Sequence, residues 1–292
     1  MTGSRYPIPE AGEPMKKNPL SIDRREFLGS VGSAAAMIAV GDLHAKKIGP
    51  IGLQLYTVRD EMKKDFFGTL AKVARIGYKE VEFAGYFGND ARAVRAALKQ
   101  NALVSPSAHI GFPVLGDTWD KILEASVTIG QKYVICPWID EKLRTIDGYK
   151  QVAELFNKAG EQAKKAGLQF GFHNHDYEFP PVDGKVPLDL LITETDPKLV
   201  VFEMDVYWVR HGGADPIALF KKYRGRFPLL HIKDMDASRN MVDVGKGVIP
   251  WKTILEKGKD EGVKHIFVEH DQPKDAFASI QASYQYLSSL RV

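Results

Sequence analysis

From residue 50 onward, short apolar runs alternate with amphipathic stretches. IGLQLY (51–56), KEVEFA (79–84), LVSPSAHI (103–110), YVICPW (133–138), LQFGFHNH (168–175), LVVFEMDV (199–206), FPLLHIKD (227–234) and HIFVEH (265–270) read as strands, because they are short and rich in β-branched and aromatic residues. Apolar residues at helical spacing predict helices over 65–77, 90–101, 118–130, 149–167, 187–195, 215–224, 250–261 and 274–290. Gly77, Gly167 and Gly262 each end a helix directly before a strand, where a left-handed C-cap is needed. Eight strand-plus-helix units with no linker between halves predict one α/β domain over residues 46–292, a closed (β/α)8 TIM barrel. An open doubly wound sheet usually has a glycine-rich loop after its first strand, whereas QLYTVRDEM (54–62) follows here.

The strands break their apolar pattern at one end. Gln54 and Tyr56, Glu80 and Glu82, His109, His173 and His175, Glu203 and Asp205, His231 and Lys233, and Glu269 all stand where a core would continue apolar. Residues two apart on a strand face the same side, so each of these pairs is expected to share a face. In a barrel those ends surround a single pocket. Any one of these residues alone reads as a hydrogen-bonded core residue. Together they read as a metal site, since polar groups buried in a barrel mouth need one another, water, metal or substrate. Asp205, His231 and Glu269 come from three consecutive strands and form a mixed N/O donor set suited to Mn²⁺, Mg²⁺, Co²⁺ or Zn²⁺. A fourth ligand is expected from the fifth strand, with His173 ahead of its rival Glu203.

His175 and Lys233 then fall beside the metal ligands. The imidazole is a candidate proton carrier, as is the Glu269 carboxylate, and the ammonium a candidate stabiliser of an oxyanion. A salt bridge from Lys233 to Glu203 or Asp205 is the plain structural reading. Gln54, Tyr56, Glu82, His109, Glu178 and Trp208 are candidate substrate contacts. Tyr56, Trp208, Phe112 and Trp138 offer flat faces on which a sugar can stack, with core packing expected for at least two of them. VGKGVIPW (244–251) follows a seventh strand, too late for a nucleotide fingerprint, and reads as a loop lining the pocket.

Composition narrows the function classes. The chain has 292 residues, 44% hydrophobic and 26% charged, with a formal net charge of +3. Both signs are spread along it and there is no long basic run, so nothing points to nucleic acid. Cys136 is the only cysteine, which excludes an internal disulfide and reads as a buried strand residue. Residues 1–45 read as an export leader: Arg24 and Arg25, then the short Ala/Gly-rich stretch 29–45, a pattern resembling a twin-arginine signal. That stretch is too short for a membrane span, so a periplasmic protein without a stable membrane anchor is expected.

LQLYTVRDE (53–61), GYKEVEFAGY (77–86), FHNHDYEF (172–179), FEMDVYWV (202–209), LHIKDMD (230–236), VGKGVIPW (244–251) and FVEHD (267–271) resemble the xylose isomerase-like barrel superfamily. Its members include sugar epimerases, hydroxypyruvate isomerase, inosose dehydratase and endonuclease IV. The resemblance implies a metal held by a carboxylate from strand five, an Asp from strand six, a His from strand seven and a Glu from strand eight. Asp205, His231 and Glu269 match those positions, while His173 replaces the strand-five Glu, as in dehydratase-like members. The reading DVYW at 205–208 lacks the extra histidines of the endonuclease branch. The expectation is an isomerase, epimerase or lyase acting on an unphosphorylated keto-sugar or keto-glycoside through a metal-stabilised enediolate. The alternatives are an inosose dehydratase-like lyase and a non-catalytic periplasmic sugar-binding barrel.

Overall fold

The computed structural model describes residues 48–113 and 116–292. The expected leader lies outside the described residues. Eight parallel strands close a barrel: β1 Gly52–Gln54, β2 Glu80–Phe83, β3 Val104–His109, β4 Tyr133–Cys136, β5 Gln169–His173, β6 Val200–Asp205, β7 Leu229–Ile232 and β8 His265–Val268. Each pairs with its sequence neighbours, and β8 closes onto β1. The helices that follow them are α1 Phe66–Ile76, α2 Ala91–Gln100, α3 Asp117–Ile129, α4 Ile146–Lys165, α5 Pro187–Glu194, α6 Pro216–Lys222, α7 Trp251–Asp260 and α8 Ala276–Ser289. The predicted barrel is the one observed, and Gly77, Gly167 and Gly262 take the positive φ expected of them.

Two apolar layers hold this architecture. The larger lies between strands and helices, where Phe156 of α4 packs on Phe170 and Phe172 of β5 with ring centroids 5.1 and 5.4 Å apart. The smaller comprises Tyr133, Ile135, Val201, Leu229 and Phe267, alternate residues of β4, β6, β7 and β8, and so plugs the barrel interior. Two glycines make room for it. A Cβ at Gly52 would come within 2.5 Å of the Phe267 ring, and one at Gly171 within 2.7 Å of Ile135.

The alternation that builds the plug continues upward into charge. Next along the inward faces of β2, β6 and β7 stand Glu82, Glu203 and His231, where Cα register pairs His173 with Glu203 and Asp205 with His231. Glu80 shares this face but lies deeper, with His265 at 2.9 Å, and does not line the mouth. Among the described residues, no helix is long and apolar enough to cross a membrane.

Candidate metal centre and active site

The strand ends deliver two overlapping groups of donors. One atom each of Asp205, His231 and Glu269 lie within 4.8 Å of one another, and so do atoms of His109, His173, Glu203 and His231. His231 belongs to both. Its Nδ1 is 2.7 Å from Glu269, and its Nε2 is 2.7 Å from Glu82 and 3.1 Å from Glu203. The sequence-derived quartet is thus divided: three members form one group, while His173 sits in the other with Glu203, the residue weighed against it. His173 still links the two, with Nδ1 3.1 Å from Glu203 and Nε2 3.6 Å from Asp205.

These groups fit a divalent cation. Glu82 Oε1 and Glu203 Oε1 are buried with no hydrogen-bond partner, and Asp205 Oδ2 has only the Lys233 ammonium, 3.1 Å away, an arrangement of buried carboxylate oxygens that further positive charge would stabilise. Asp205 is divided between two tasks. Its Oδ1 caps the short helix Val206–His211 by accepting from the Trp208 amide at 3.0 Å, which leaves Oδ2 turned to the centre. Asn174, between the two histidines of the HNH run, fixes this strand end: its Oδ1 accepts the Asp205 amide at 3.1 Å.

The electrostatics follow the packing. Burial disfavours charge on His231, but Glu203 and Glu269 around it raise its pKa well above the ordinary value. Burial also disfavours charge on Glu269, yet Lys233 and His231 hold that carboxyl well below the usual range. Lys233 is paired three ways, 3.1 Å from Asp205, 2.9 Å from Glu269 and 2.8 Å from Asp271. The salt-bridge reading of Lys233 therefore holds for Asp205. Lys233 lies one residue past β7, and its Nζ meets the same Glu269 oxygen as His231 Nδ1, at 2.9 and 2.7 Å, so the two share a face as expected.

His175 likewise lies beyond the end of β5 at His173, its ring stacked 5.5 Å from Tyr177 and edge-on to His173 at 5.1 Å, and both histidines line the cavity as residues of one face. Burial and the neighbouring Lys233 push its pKa down to about 3, so the ring is neutral, and its Nδ1 has no partner.

Above the donors opens a cavity of about 950 Å³. His109, His173, His175, Lys233, Glu269 and Asp271 line it on one side. Tyr56 and Trp138, both nearly half exposed, line it too. The other predicted contacts sit elsewhere. Gln54 and Glu82 are fully buried beneath the cavity floor, joined by a 2.7 Å hydrogen bond in which the Gln54 amide donates. Phe112 packs on Phe156 (6.2 Å), and Trp208 lies against Lys233 (5.7 Å) without lining the cavity.

Glu178 departs from expectation more sharply. Its carboxylate turns inward to accept the His175 amide at 2.8 Å, fully buried and away from the cavity, and burial raises its pKa to about 8. It fixes the segment that carries His175 and does not line the cavity. The 244–251 loop does not line the cavity either. Its amides at Gly245, Gly247 and Ile249 wrap the buried Asp234 carboxylate at 2.8, 3.3 and 3.3 Å, because a buried carboxylate needs several donors. Cys136 is the buried strand residue expected, its thiol pushed up to about 12 by burial. Asp271 was missed; the acidic residue after FVEH was its only signal.

Comparison with known proteins agrees with the geometry. The Xylose isomerase-like TIM barrel family matches residues 70–290. An inosose dehydratase of Clostridium tetani is 32% identical over 187 residues, 57% of this chain and 62% of the relative. One from Lacticaseibacillus casei is 30% identical over 147 residues, 44% of this chain, so the match spans about half (49%) of that relative's length. A crystal structure of a sugar phosphate isomerase/epimerase from Parabacteroides distasonis superposes with a TM-score of 0.75 at 29% identity, covering 83% of this chain and 95% of that one. By fold, sequence and the residues gathered at its strand ends, the chain belongs to the xylose isomerase-like TIM barrel family.

Proposed function

We propose that the chain is a divalent-metal-dependent sugar isomerase or epimerase, or a related lyase, acting on an unphosphorylated keto-sugar or keto-glycoside. The observation that carries this reading is the buried Asp205–His231–Glu269 group, whose Glu269 reaches a cavity that His173, His175 and Lys233 also line. Asp205, His231 and Glu269 would hold the ion, with His173 or Glu203 completing the set. When bound, such an ion supplies Lewis-acid polarisation of a ketone oxygen, which acidifies the neighbouring carbon–hydrogen bond.

The chain's own groups do the rest. His175 is neutral across the physiological range and so starts as a base, accepting the proton as the C–H electron pair moves into an enediolate. Glu269 nearby, with the charge developing on the substrate, favours the imidazolium that forms. Lys233 remains an ammonium because Asp205, Glu269 and Asp271 outweigh the burial that would lower its pKa. It faces the negative charge of the enediolate. Delivery of a proton to the opposite face of the same carbon by a second group, for which Glu269 is the candidate once protonated, inverts it, and return of the proton from His175 to the neighbouring carbon isomerises. Expulsion of a β-hydroxyl or glycosidic oxygen instead gives elimination.

Elimination is the second reading, favoured by the inosose dehydratase relatives. An unphosphorylated substrate suits a cavity in which, among the described lining residues, Lys121 and Lys233 are the only ammonium groups and no arginine is present. The test is incubation with free and oxidised sugars in D₂O. Deuterium uptake at carbon is expected, and it should drop roughly 10²–10⁴-fold in His175→Ala while bound metal is spared. No uptake with any keto-sugar leaves a binding protein and refutes the enzyme. We also propose export through the twin-arginine leader, motivated by Arg24 and Arg25; changing both to Lys should leave an unprocessed cytoplasmic protein, and a processed periplasmic one contradicts that route.

A further inference from the structure

The charged residues account for only part of the cavity. Across from His175, Lys233 and Glu269, the wall is built by the segments after β2, β3 and β4 together with α3. Tyr86, Ile110, Ile122, Ala125 and Trp138 face the space there, with Thr118 and Lys121 of α3 as polar side chains beside them. At about 950 Å³ the cavity is at the upper end of the ~300–1,000 Å³ found for drug-sized ligands, well beyond what one hexose ring fills. Trp138 is 46% exposed, a large aromatic surface left open to water at the cavity wall. Tyr56, on the adjoining β1 loop, is 42% exposed and is held in place by Arg59, whose guanidinium lies 4.1 Å from the ring centroid. An aromatic so placed is a ready stacking surface.

We propose that this wall is a subsite for the aromatic aglycone of a glycoside, with the reacting sugar ring at the charged end. The inference rests on the function proposed above and names its substrate class. Chemistry selects an aromatic group over a second sugar. A second pyranose would bring several hydroxyls, each needing a partner once desolvated, and this wall is mainly apolar, with Thr118 and Lys121 of α3 to meet them. An aryl ring needs none and gains from contact with Trp138 and its apolar neighbours.

The test is calorimetric titration of the full chain, loaded with Mn²⁺, using methyl and 4-nitrophenyl glucosides and galactosides of both anomeric forms, with maltose and cellobiose alongside. For the sugar and anomer bound best, the aryl glycoside should bind about tenfold more tightly than the methyl glycoside. That ratio should fall toward one in Trp138→Ala, and in Ile122→Ser as a second, independent variant. A ratio near one in the wild type, an unchanged ratio in both variants, a disaccharide that outcompetes the aryl glycoside, or no saturable binding by any probe overturns the proposal. The outcome is separable from that of the catalytic reading. A failed subsite leaves deuterium uptake by keto-sugars intact, whereas failed chemistry leaves the aryl preference intact with no uptake.

Discussion

The two sides of the barrel mouth are built on the same principle and carry opposite chemistry. On the side of β5 to β8, the strands run into His173, Asp205, His231, Lys233, Glu269 and Asp271, a mesh of ion pairs mostly 2.7–3.1 Å long. On the side of β2 to β4, Glu82 and His109 join that mesh at the strand ends, but the segments beyond the strands present Tyr86, Ile110 and Trp138, with Lys121 of α3 their one ammonium group. One side holds charge that must be balanced, while the other holds apolar surface that water covers poorly. The difference separates two jobs, with bond chemistry on the first side and recognition on the second. It also predicts different responses to mutation, since buried charge is sensitive to its partners and an exposed aromatic is not.

The largest stability effect is expected at Lys233. Lys233→Met leaves Asp205, Glu269 and Asp271 facing one another without their cation. The metal-free protein should lose roughly 3–5 kcal/mol, because breaking a buried ion pair strands uncompensated charge. Excess Mn²⁺ should recover much of that loss by replacing the positive charge. Trp138→Ala on the opposite side should stay within about 0.5 kcal/mol of wild type under both conditions. Equal losses from the two variants, measured by chemical denaturation with and without Mn²⁺, would erase the distinction between the sides.

A smaller, pH-dependent effect is expected at Glu178. Its folded pKa of about 8 is raised above the unfolded value, so the folded state binds more protons between those two values. Stability contributed by the protonated carboxyl is therefore fully present below the unfolded pKa and is lost as pH rises to about 8. The thermal midpoint should fall between about pH 5 and pH 8, and Glu178→Gln should flatten that fall while keeping an oxygen to accept the His175 amide. An unchanged slope in the variant would show that the carboxyl is ionised throughout and that other groups produce the pH dependence.

The charged side was legible in the sequence because each of its residues interrupts an apolar strand, and period-two alternation aims such interruptions inward. The barrel itself was legible for a related reason: helix and strand periods alternate with glycine caps at the joins. The apolar side was not. Tyr86, Ile110 and Ile122 look like any core residues, and only the closed barrel brings them to face a cavity. Depth along a strand was also hidden, so Glu80 and Glu82 looked alike although Glu80 lies near the base with His265. The pleat rule carried one step past the strand ends, where His175 and Lys233 face the same way as His173 and His231. It failed in the loops beyond, where Glu178 points inward to hold the segment carrying His175 and the 244–251 loop serves Asp234 and not the pocket.

The central claim is that Asp205, His231 and Glu269 hold a divalent cation. It is tested most directly by measuring metal content after exhaustive dialysis in wild type and in His231→Ala, with circular dichroism to verify that both remain folded. About one tightly held equivalent in the wild type and almost none in the folded variant is the predicted result. A wild type that retains no metal after loading, or a His231→Ala protein that retains a full equivalent, would contradict it.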